Sequence, residues 1–176
     1  MIIKNKTNLY MCEFESEFGT MLTIASDTQL YLLLKKNSKN IDIIKEKILS
    51  NSDVSPIKEK NDLIKKIEFE LMEYCEGKRT NFDIGLNLQG SDFQKKVWNE
   101  LINLDYGQDT TYSNICSKIN SKAYRAVGNA VGANPIQVII PCHRVLRTDG
   151  GIGGFSGGLD MKVKLLNIEG IDHNIF

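Results

Sequence analysis

One short segment of the sequence contains residues that could carry out a chemical reaction. Cys142 follows Pro141 and is itself followed by His143 and Arg144. Thiolate is the reactive form of cysteine, and neighbouring cations stabilise it. Because successive side chains of a strand point to opposite faces, a contact between Cys142 and His143 needs a turn or a bridging water. A strand that stops at Pro141 would present the thiol at its end, and the segment fits a reactive thiol and a merely buried cysteine equally well.

Other kinds of chemical site are disfavoured. Acyl transfer as in cysteine proteases needs a histidine distant from the cysteine, and the other histidine of the sequence, His173, lies close to the C-terminal end. The remaining cysteines form no C-x-x-C pair, so we expect no metal site and interpret them as buried small residues: Cys12, Cys75 and Cys116. The segment GGIGGFSGG does not follow the strand-turn-helix pattern of a dinucleotide site, so we expect no cofactor.

The composition is that of an ordinary globular protein. The chain has 176 residues, of which 41% are hydrophobic and 25% charged, and this length is enough for one large domain or two small ones. No apolar run approaches the roughly 20 residues needed to span a bilayer. The first residues also lack the apolar core of a signal peptide. We therefore expect a cytoplasmic protein that does not enter a membrane.

The charges sum to zero but are unevenly distributed. No acidic residue lies between Asp109 and Asp149, a stretch that carries five cations: Lys118, Lys122, Arg125, Arg144 and Arg147. Such a segment is typical of a surface that binds a polyanion. A solvated basic face is an equally good interpretation of this pattern alone.

The first half of the chain has the pattern of a small sheet followed by helices. Residues 9–34 are rich in β-branched, aromatic and leucine residues with two breaks, which predicts three antiparallel strands. Apolar residues at helical spacing predict helices over 41–50 and 62–76, with Gly77 as the C-cap of the second.

The second half has the pattern of a helical unit. Ser91 and Gln94 form an S-x-x-Q capping box at the start of a helix. We expect this element to end at residues 106–107. Two short helices over 111–119 and 123–133 then have the form of a helix-turn-helix. The apolar run IQVII predicts a short buried strand, and a last helix follows the glycine-rich loop.

The segment IPCHRV resembles the active-site motif of the O6-alkylguanine-DNA alkyltransferases, also called methylated-DNA–protein-cysteine methyltransferases. Further segments resemble the same family in the same order, namely FQKKVWNEL, TTYSNI, RAVGNAVGANP, GGFSGGL and LLNIEG. The resemblance is close over the second half of the chain and looser over the first. It implies an α/β (α+β) fold of two domains. Residues 1–88 would form a ribonuclease H-like supporting domain with a three-stranded antiparallel sheet, and residues 89–176 a mostly helical winged helix-turn-helix domain with the active site.

The resemblance also implies a role for individual residues of the reaction. Cys142 would accept the alkyl group, and His143 would take the thiol proton through a water. Glu169 would orient that histidine, although taken alone it fits a charge near a helix end. Tyr112 would give a proton or hydrogen bond to the leaving guanine. Asn134 would brace the two parts of the site, and its alternative role is simply to stop a helix before a proline.

Recognition of the lesion follows from the same resemblance. A duplex hides the O6 position, so the nucleotide must be extruded into a pocket. Arg125 would fill the vacated stack, with a phosphate contact as the alternative. Further DNA contacts are expected from Thr111, Ser113, Lys122, Ala126, Gly128 and Arg144. The guanine pocket would comprise Tyr112 and the loop residues Phe155, Ser156, Gly157 and Gly158, with Phe155 in place of the tyrosine that the resemblance leads us to expect.

The resulting prediction is a single-turnover methyltransferase that reverses damage in double-stranded DNA. It would move a methyl or larger alkyl group from O6-alkylguanine to Cys142 irreversibly, because water does not cleave the thioether product. Whether O4-alkylthymine is also a substrate stays open, and we expect a monomer. The alternatives are a regulatory protein that binds the lesion without reacting and a cysteine hydrolase. An intact Cys142 disfavours the first, and the lack of a distant histidine disfavours the second.

Overall fold

A computed structural model of the chain describes residues 7–52 and 55–173. The chain divides into two compact units, Met1–Gln89 and Gly90–Phe176. The first six residues, on which part of the signal-peptide argument rests, lie outside the described residues. Across the described part, no helix is both long and apolar enough to cross a membrane.

The first unit contains the predicted three-stranded antiparallel sheet. Its strands are β1 (Tyr10–Ser16), β2 (Gly19–Ala25) and β3 (Leu30–Lys35), paired in that order. Strand β2 is buried from Met21 to Ala25 because it lies at the centre of the sheet. The prediction of three strands with two breaks is confirmed.

Two helices cover this sheet. Helix α1 (Ile41–Ser50) packs Ile48 into a cluster with Leu22 and Ile24 of β2, and helix α2 (Asp62–Cys75) contacts β1 and β2. After α2 the chain turns at Gly77, whose φ of 69° is accessible to glycine without strain. The Gly77 amide donates to Tyr74 and the Lys78 amide to Glu73, which is the Schellman arrangement that ends many helices. Gly77 thus lies one residue beyond the C-cap.

The second unit is mostly helical. Its helices and its short parallel strand pair are α3 (Asp92–Ile102), β4 (Thr110–Thr111), α4 (Tyr112–Lys118), α5 (Tyr124–Gly132), β5 (Val145–Leu146) and α6 (Leu159–Ile168). The predicted capping box is present, since Ser91 accepts from the Gln94 amide and the Gln94 side chain accepts from the Ser91 amide. Buried Trp98 donates its indole N–H to the carbonyl of Ala130 at 2.8 Å, which ties α3 to α5. The α+β fold is confirmed.

Two details of the second unit differ from the sequence prediction. Helix α3 ends at Ile102, four residues before the predicted break at residues 106–107. The predicted strand over residues 136–140 is absent, although four of its five residues are buried. The segment instead curls into a tight turn, in which Val138 has a φ of 71° and the Ile140 amide donates to the carbonyl of Ile136. Burial was therefore predicted correctly and the backbone shape was not.

Candidate active site

The backbone turn at Pro141 places Cys142 and His143 close to elements that are distant in the sequence. Residues Cys142–Arg144 form a single turn of 3-10 helix, held by hydrogen bonds from the Cys142 amide to Ile140 and from the Arg144 amide to Pro141. The expectation that a strand ends here and presents the thiol is therefore wrong. All three side chains of this turn are buried, so the chain can bring Cys142, His143 and Arg144 into one cluster.

The amide side chain of Asn134 joins the end of α5 to this turn. Its Nδ2 donates to the carbonyl of Ile140 at 2.9 Å and lies 3.0 Å from Sγ of Cys142, while its Oδ1 accepts from the Ile136 amide. Asn134 is itself buried. These contacts are more than a helix stop requires, while a role of Asn134 in the reaction stays a prediction.

The thiol of Cys142 lies in an environment that favours its protonated form. Burial raises the pKa of Cys142 above its ordinary value, while the Asn134 amide and the charge of Lys162 act to lower it. Burial is the largest of these effects. A buried thiol of this kind needs a nearby base before it can attack as a thiolate.

His143 is the base nearest to Cys142 in the chain, and Glu169 contacts it. Nε2 of His143 lies 2.7 Å from Oε1 of Glu169, which is the C-cap residue of α6, and both side chains are fully buried. The other ring nitrogen, Nδ1, has no hydrogen-bond partner among the residues that the structure describes. Burial lowers the pKa of His143, Glu169 acts to raise it, and Arg144 and Lys162 act to lower it. The geometry therefore supplies a neutral imidazole with one nitrogen available to accept a proton.

Arg144 corrects one of the DNA contacts expected from the sequence. Its guanidinium is buried and donates from Nε to Oε2 of Glu169 at 2.7 Å and from Nη2 to Oε1 at 2.9 Å. It also donates to the carbonyl of Leu104 and lies over the ring of Tyr106. A guanidinium enclosed in this way is not available to a phosphate, because leaving Glu169 uncompensated in the interior would be costly.

Tyr112 lies between helix α5 and the glycine-rich loop. A Cβ atom at Gly153 would lie 3.5 Å from the Tyr112 hydroxyl, and one at Gly128 would lie 4.0 Å from the ring. Burial, followed by the proximity of Cys142, raises the pKa of Tyr112. Tyr112 is therefore a phenol that stays protonated at neutral pH, and a charge on Cys142 acts on it. Gly128 is half-buried on α5 near this ring, and its expected contact with DNA stays a prediction.

The loop expected to form the guanine pocket is shaped by close packing. Ser156 accepts a hydrogen bond from Nε2 of buried Gln137 at 2.9 Å. At Gly157 a Cβ atom would lie 2.8 Å from the sulfur of Met161, so no larger residue fits without movement. Gly158 has a φ of 95° and precedes the first turn of α6, and the side chain of Phe155 is half-buried. These contacts hold the loop in one shape, while its contacts with guanine stay a prediction.

The other cations of the acid-free stretch lie at the surface. Lys122 and Arg125 are exposed, as is Ala126 beside them, whereas Thr111 caps α4 and Ser113 is half-buried. Exposed Arg147 pairs with Asp149 at 2.8 Å, and Lys118 lies 3.9 Å from Glu100. The accessible basic surface is thus smaller than the sequence suggested.

One residue of the cluster was missed at the sequence level. Lys162 is fully buried in α6, donates to the carbonyl of Val145 at 2.7 Å, and has its pKa lowered by burial to about 8. A signal was present, because Lys162 lies three and four residues before buried Leu165 and Leu166 and hence on the inner face of its helix. Within the described ranges, no cluster of His, Cys, Asp and Glu side chains could hold a metal ion.

Comparison with known proteins connects this arrangement to a chemistry. Residues 92–171 match the family model described as 6-O-methylguanine DNA methyltransferase, DNA binding domain. The inducible methylated-DNA–protein-cysteine methyltransferase of Bacillus subtilis is 38% identical over 147 residues, which cover 83% of this chain and 82% of that protein. The corresponding protein of Methanosarcina acetivorans is 36% identical over 92% of this chain and 99% of its own length. The crystal structure of Mycobacterium tuberculosis OGT in complex with DNA is similar with a TM-score of 0.79 and 30% identity, covering 91% of this chain and 92% of that one.

Proposed function

Since the chain belongs to the family of methylated-DNA–protein-cysteine methyltransferases, we propose that it repairs double-stranded DNA by moving an alkyl group from O6 of guanine to Cys142. The observation that supports this most directly is the position of the Cys142 thiol. Its sulfur lies 3.0 Å from the Asn134 amide, in the turn that also carries His143, and the Glu169 carboxylate holds that histidine.

The first step of the proposed reaction is removal of the thiol proton. Because burial keeps Cys142 protonated, the proton must leave as the alkyl carbon approaches. Nδ1 of His143 is the acceptor, through a bridging water. Glu169 then stabilises the imidazolium that forms, in the manner of a catalytic triad.

The second step is displacement at the alkyl carbon. A bond forms between Sγ of Cys142 and that carbon, the bond from the carbon to O6 breaks, and its electron pair passes into the guanine. The phenol of Tyr112, which burial keeps protonated, donates a hydrogen bond or proton to the departing base. Since the product is a thioether and no hydrolysis regenerates the thiol, each protein molecule reacts once.

Access to the lesion requires the nucleotide to leave the duplex. We place the DNA along the exposed face of α5, where Arg125 would fill the stack that the nucleotide vacates and Lys122 would contact a phosphate. The loop from Phe155 to Gly158 would enclose the extruded guanine. Work on DNA by a reduced thiol also fits a cytoplasmic location. We propose that the protein acts as a monomer.

A stoichiometric titration tests this function. Increasing amounts of duplex oligonucleotide with one O6-methylguanine are incubated with a fixed amount of protein, and repaired guanine is measured at the end point. We expect a plateau at one equivalent per active molecule, and no repair by Cys142→Ala, which retains DNA binding. More than one equivalent would indicate turnover, and no repair by a protein that binds the lesion would favour the regulatory alternative.

A further inference from the structure

The Glu169 carboxylate is surrounded by N–H donors. Oε1 receives Nη2 of Arg144 at 2.9 Å, and Oε2 receives Nε of Arg144 at 2.7 Å and the Gly107 amide at 3.2 Å. Nε2 of His143 lies at 2.7 Å from Oε1. A carboxylate offers about four lone-pair positions, and an ionised carboxylate is an acceptor only. Arg144 and the Gly107 amide can only donate, and the charge of the arginine at hydrogen-bond distance from both oxygens favours an ionised Glu169.

This pattern fixes the tautomer of His143. Because Glu169 can only accept, Nε2 of His143 must carry the proton in the neutral ring, and the lone pair then lies on Nδ1. Nδ1 is the ring nitrogen that has no partner among the described residues. Arg144, which donates to both oxygens of Glu169, therefore helps to determine that Nδ1 is the nitrogen of His143 that can act as a base.

Charge balance around His143 follows from the same contacts. A lone buried carboxylate would strongly favour a protonated imidazole, which could not accept the thiol proton. Arg144 offsets that charge, so the histidine meets an ion pair and not a bare anion. Other titratable groups also act on this cluster. They are Cys142, which precedes His143 in the turn, Lys162 on α6, Tyr106 after α3 and Tyr112 at the start of α4.

We propose that Arg144 is a positioning residue, which keeps Glu169 ionised and offsets its charge so that His143 stays a neutral base with its proton on Nε2. Arg144 acts through Glu169, to which its guanidinium donates two hydrogen bonds. The inference rests on the proposed function only for the use of His143 as a base. The lowered pKa of His143, to which Arg144 contributes, agrees with it.

Nitrogen NMR of histidine tests the proposal without any alkyl transfer. The sequence contains two histidines, so labelled protein gives two ring systems, and His173→Ala assigns them. In the unsubstituted protein we expect His143 to be the Nε2–H tautomer and to remain neutral down to a pH well below the ordinary pKa of histidine. A protonated His143 at neutral pH, or the Nδ1–H tautomer, would overturn the proposal whether or not the protein repairs DNA.

Substitutions then separate charge compensation from a structural role. Arg144→Gln should raise the pKa of His143 by about one unit or more. The pH below which the single-turnover rate falls should rise by the same amount. At a pH below both pKa values, the variant should therefore react about tenfold more slowly than the unsubstituted protein. Arg144→Lys, which keeps the charge, should reverse much of this rise. The double variant Arg144→Gln, Glu169→Gln removes both charges and should return His143 to a low pKa.

Arg79→Gln is the matched control, because Arg79 makes a similar two-bond contact with Glu73 in the first unit. It should leave the titration of His143 unchanged. If Arg144 only supported the fold, His143 would become exposed in the single and double variants alike and titrate near its ordinary value in both. That result, or an unchanged titration in a folded Arg144→Gln protein, would refute the compensating role.

Discussion

Replacing Lys162 with Met should remove a pH dependence of stability that only a buried lysine can produce. Lys162 is fully buried in α6, and its ammonium donates a hydrogen bond to the carbonyl of Val145. Burial lowers its pKa from 10.5 to about 8. Methionine has a similar length and no charge, so Lys162→Met should fill the same space while abolishing the titration.

The magnitude follows from the two pKa values. Between pH 8 and 10.5 the unfolded chain keeps the lysine proton and the folded protein has lost it, so stability rises with pH in this window. Each unit of pKa difference corresponds to about 1.4 kcal/mol, which gives about 3 kcal/mol for the whole window. This gain in the free energy of unfolding is complete above pH 10.5 and is lost as the pH falls through about 8.

The assay is urea unfolding of both proteins at several pH values, under reducing conditions. The other titrating groups are present in both proteins, so the difference between the two free energies of unfolding reports Lys162 together with its interaction with the Cys142 thiol. We expect that difference to move by about 3 kcal/mol in favour of the unsubstituted protein between pH 8 and 10.5. A constant difference across this window would show that Lys162 titrates normally and is not buried as a charge.

Other consequences concern the thiol and the DNA surface. Asn134→Ala should reduce the free energy of unfolding by about 2 kcal/mol, since buried hydrogen bonds are lost. It should also slow alkyl transfer at neutral pH, with partial recovery at alkaline pH, and single-turnover rates would measure both effects. Arg125→Ala should slow repair of a duplex more than reaction with the free alkylated base, because only the duplex requires extrusion, and equal slowing of both reactions would argue against a role in extrusion. If Lys118 and Lys122 meet phosphates while Arg125 fills the vacated stack, log affinity should fall against log salt with a slope of about −2, whereas a slope near zero would mean that this face does not contact DNA.

Local signals in the sequence were enough for most secondary structure. The capping box at Ser91 and the strand pattern before residue 35 depend on neighbouring residues and appear as predicted, whereas Gly77 follows α2 but lies one residue beyond its C-cap. The apolar run over residues 136–140 shows the limit of such signals. Hydrophobicity predicts its burial, whereas its shape depends on Asn134, whose side chain caps the turn from within the core.

The residues of the site were also predicted only in part from the sequence. The resemblance identified Cys142, His143 and Glu169, and the structure brings the histidine and the glutamate into contact. The buried positions of Arg144 and Lys162 were not foreseen, since a cation next to a cysteine in the sequence suggests an exposed basic field. Their burial depends on partners far along the chain, Glu169 for the arginine and the Val145 carbonyl for the lysine.

The central claim is that Cys142 itself becomes the alkyl acceptor. Its most direct test is intact mass spectrometry of the protein after incubation with a duplex that contains O6-methylguanine, followed by mapping of the modified peptide. We expect the mass to increase by one methyl group per chain, with the methyl group on Cys142 and none on Cys12, Cys75 or Cys116. An unchanged mass after the lesion has been repaired, or a methyl group on any other residue, would contradict the account.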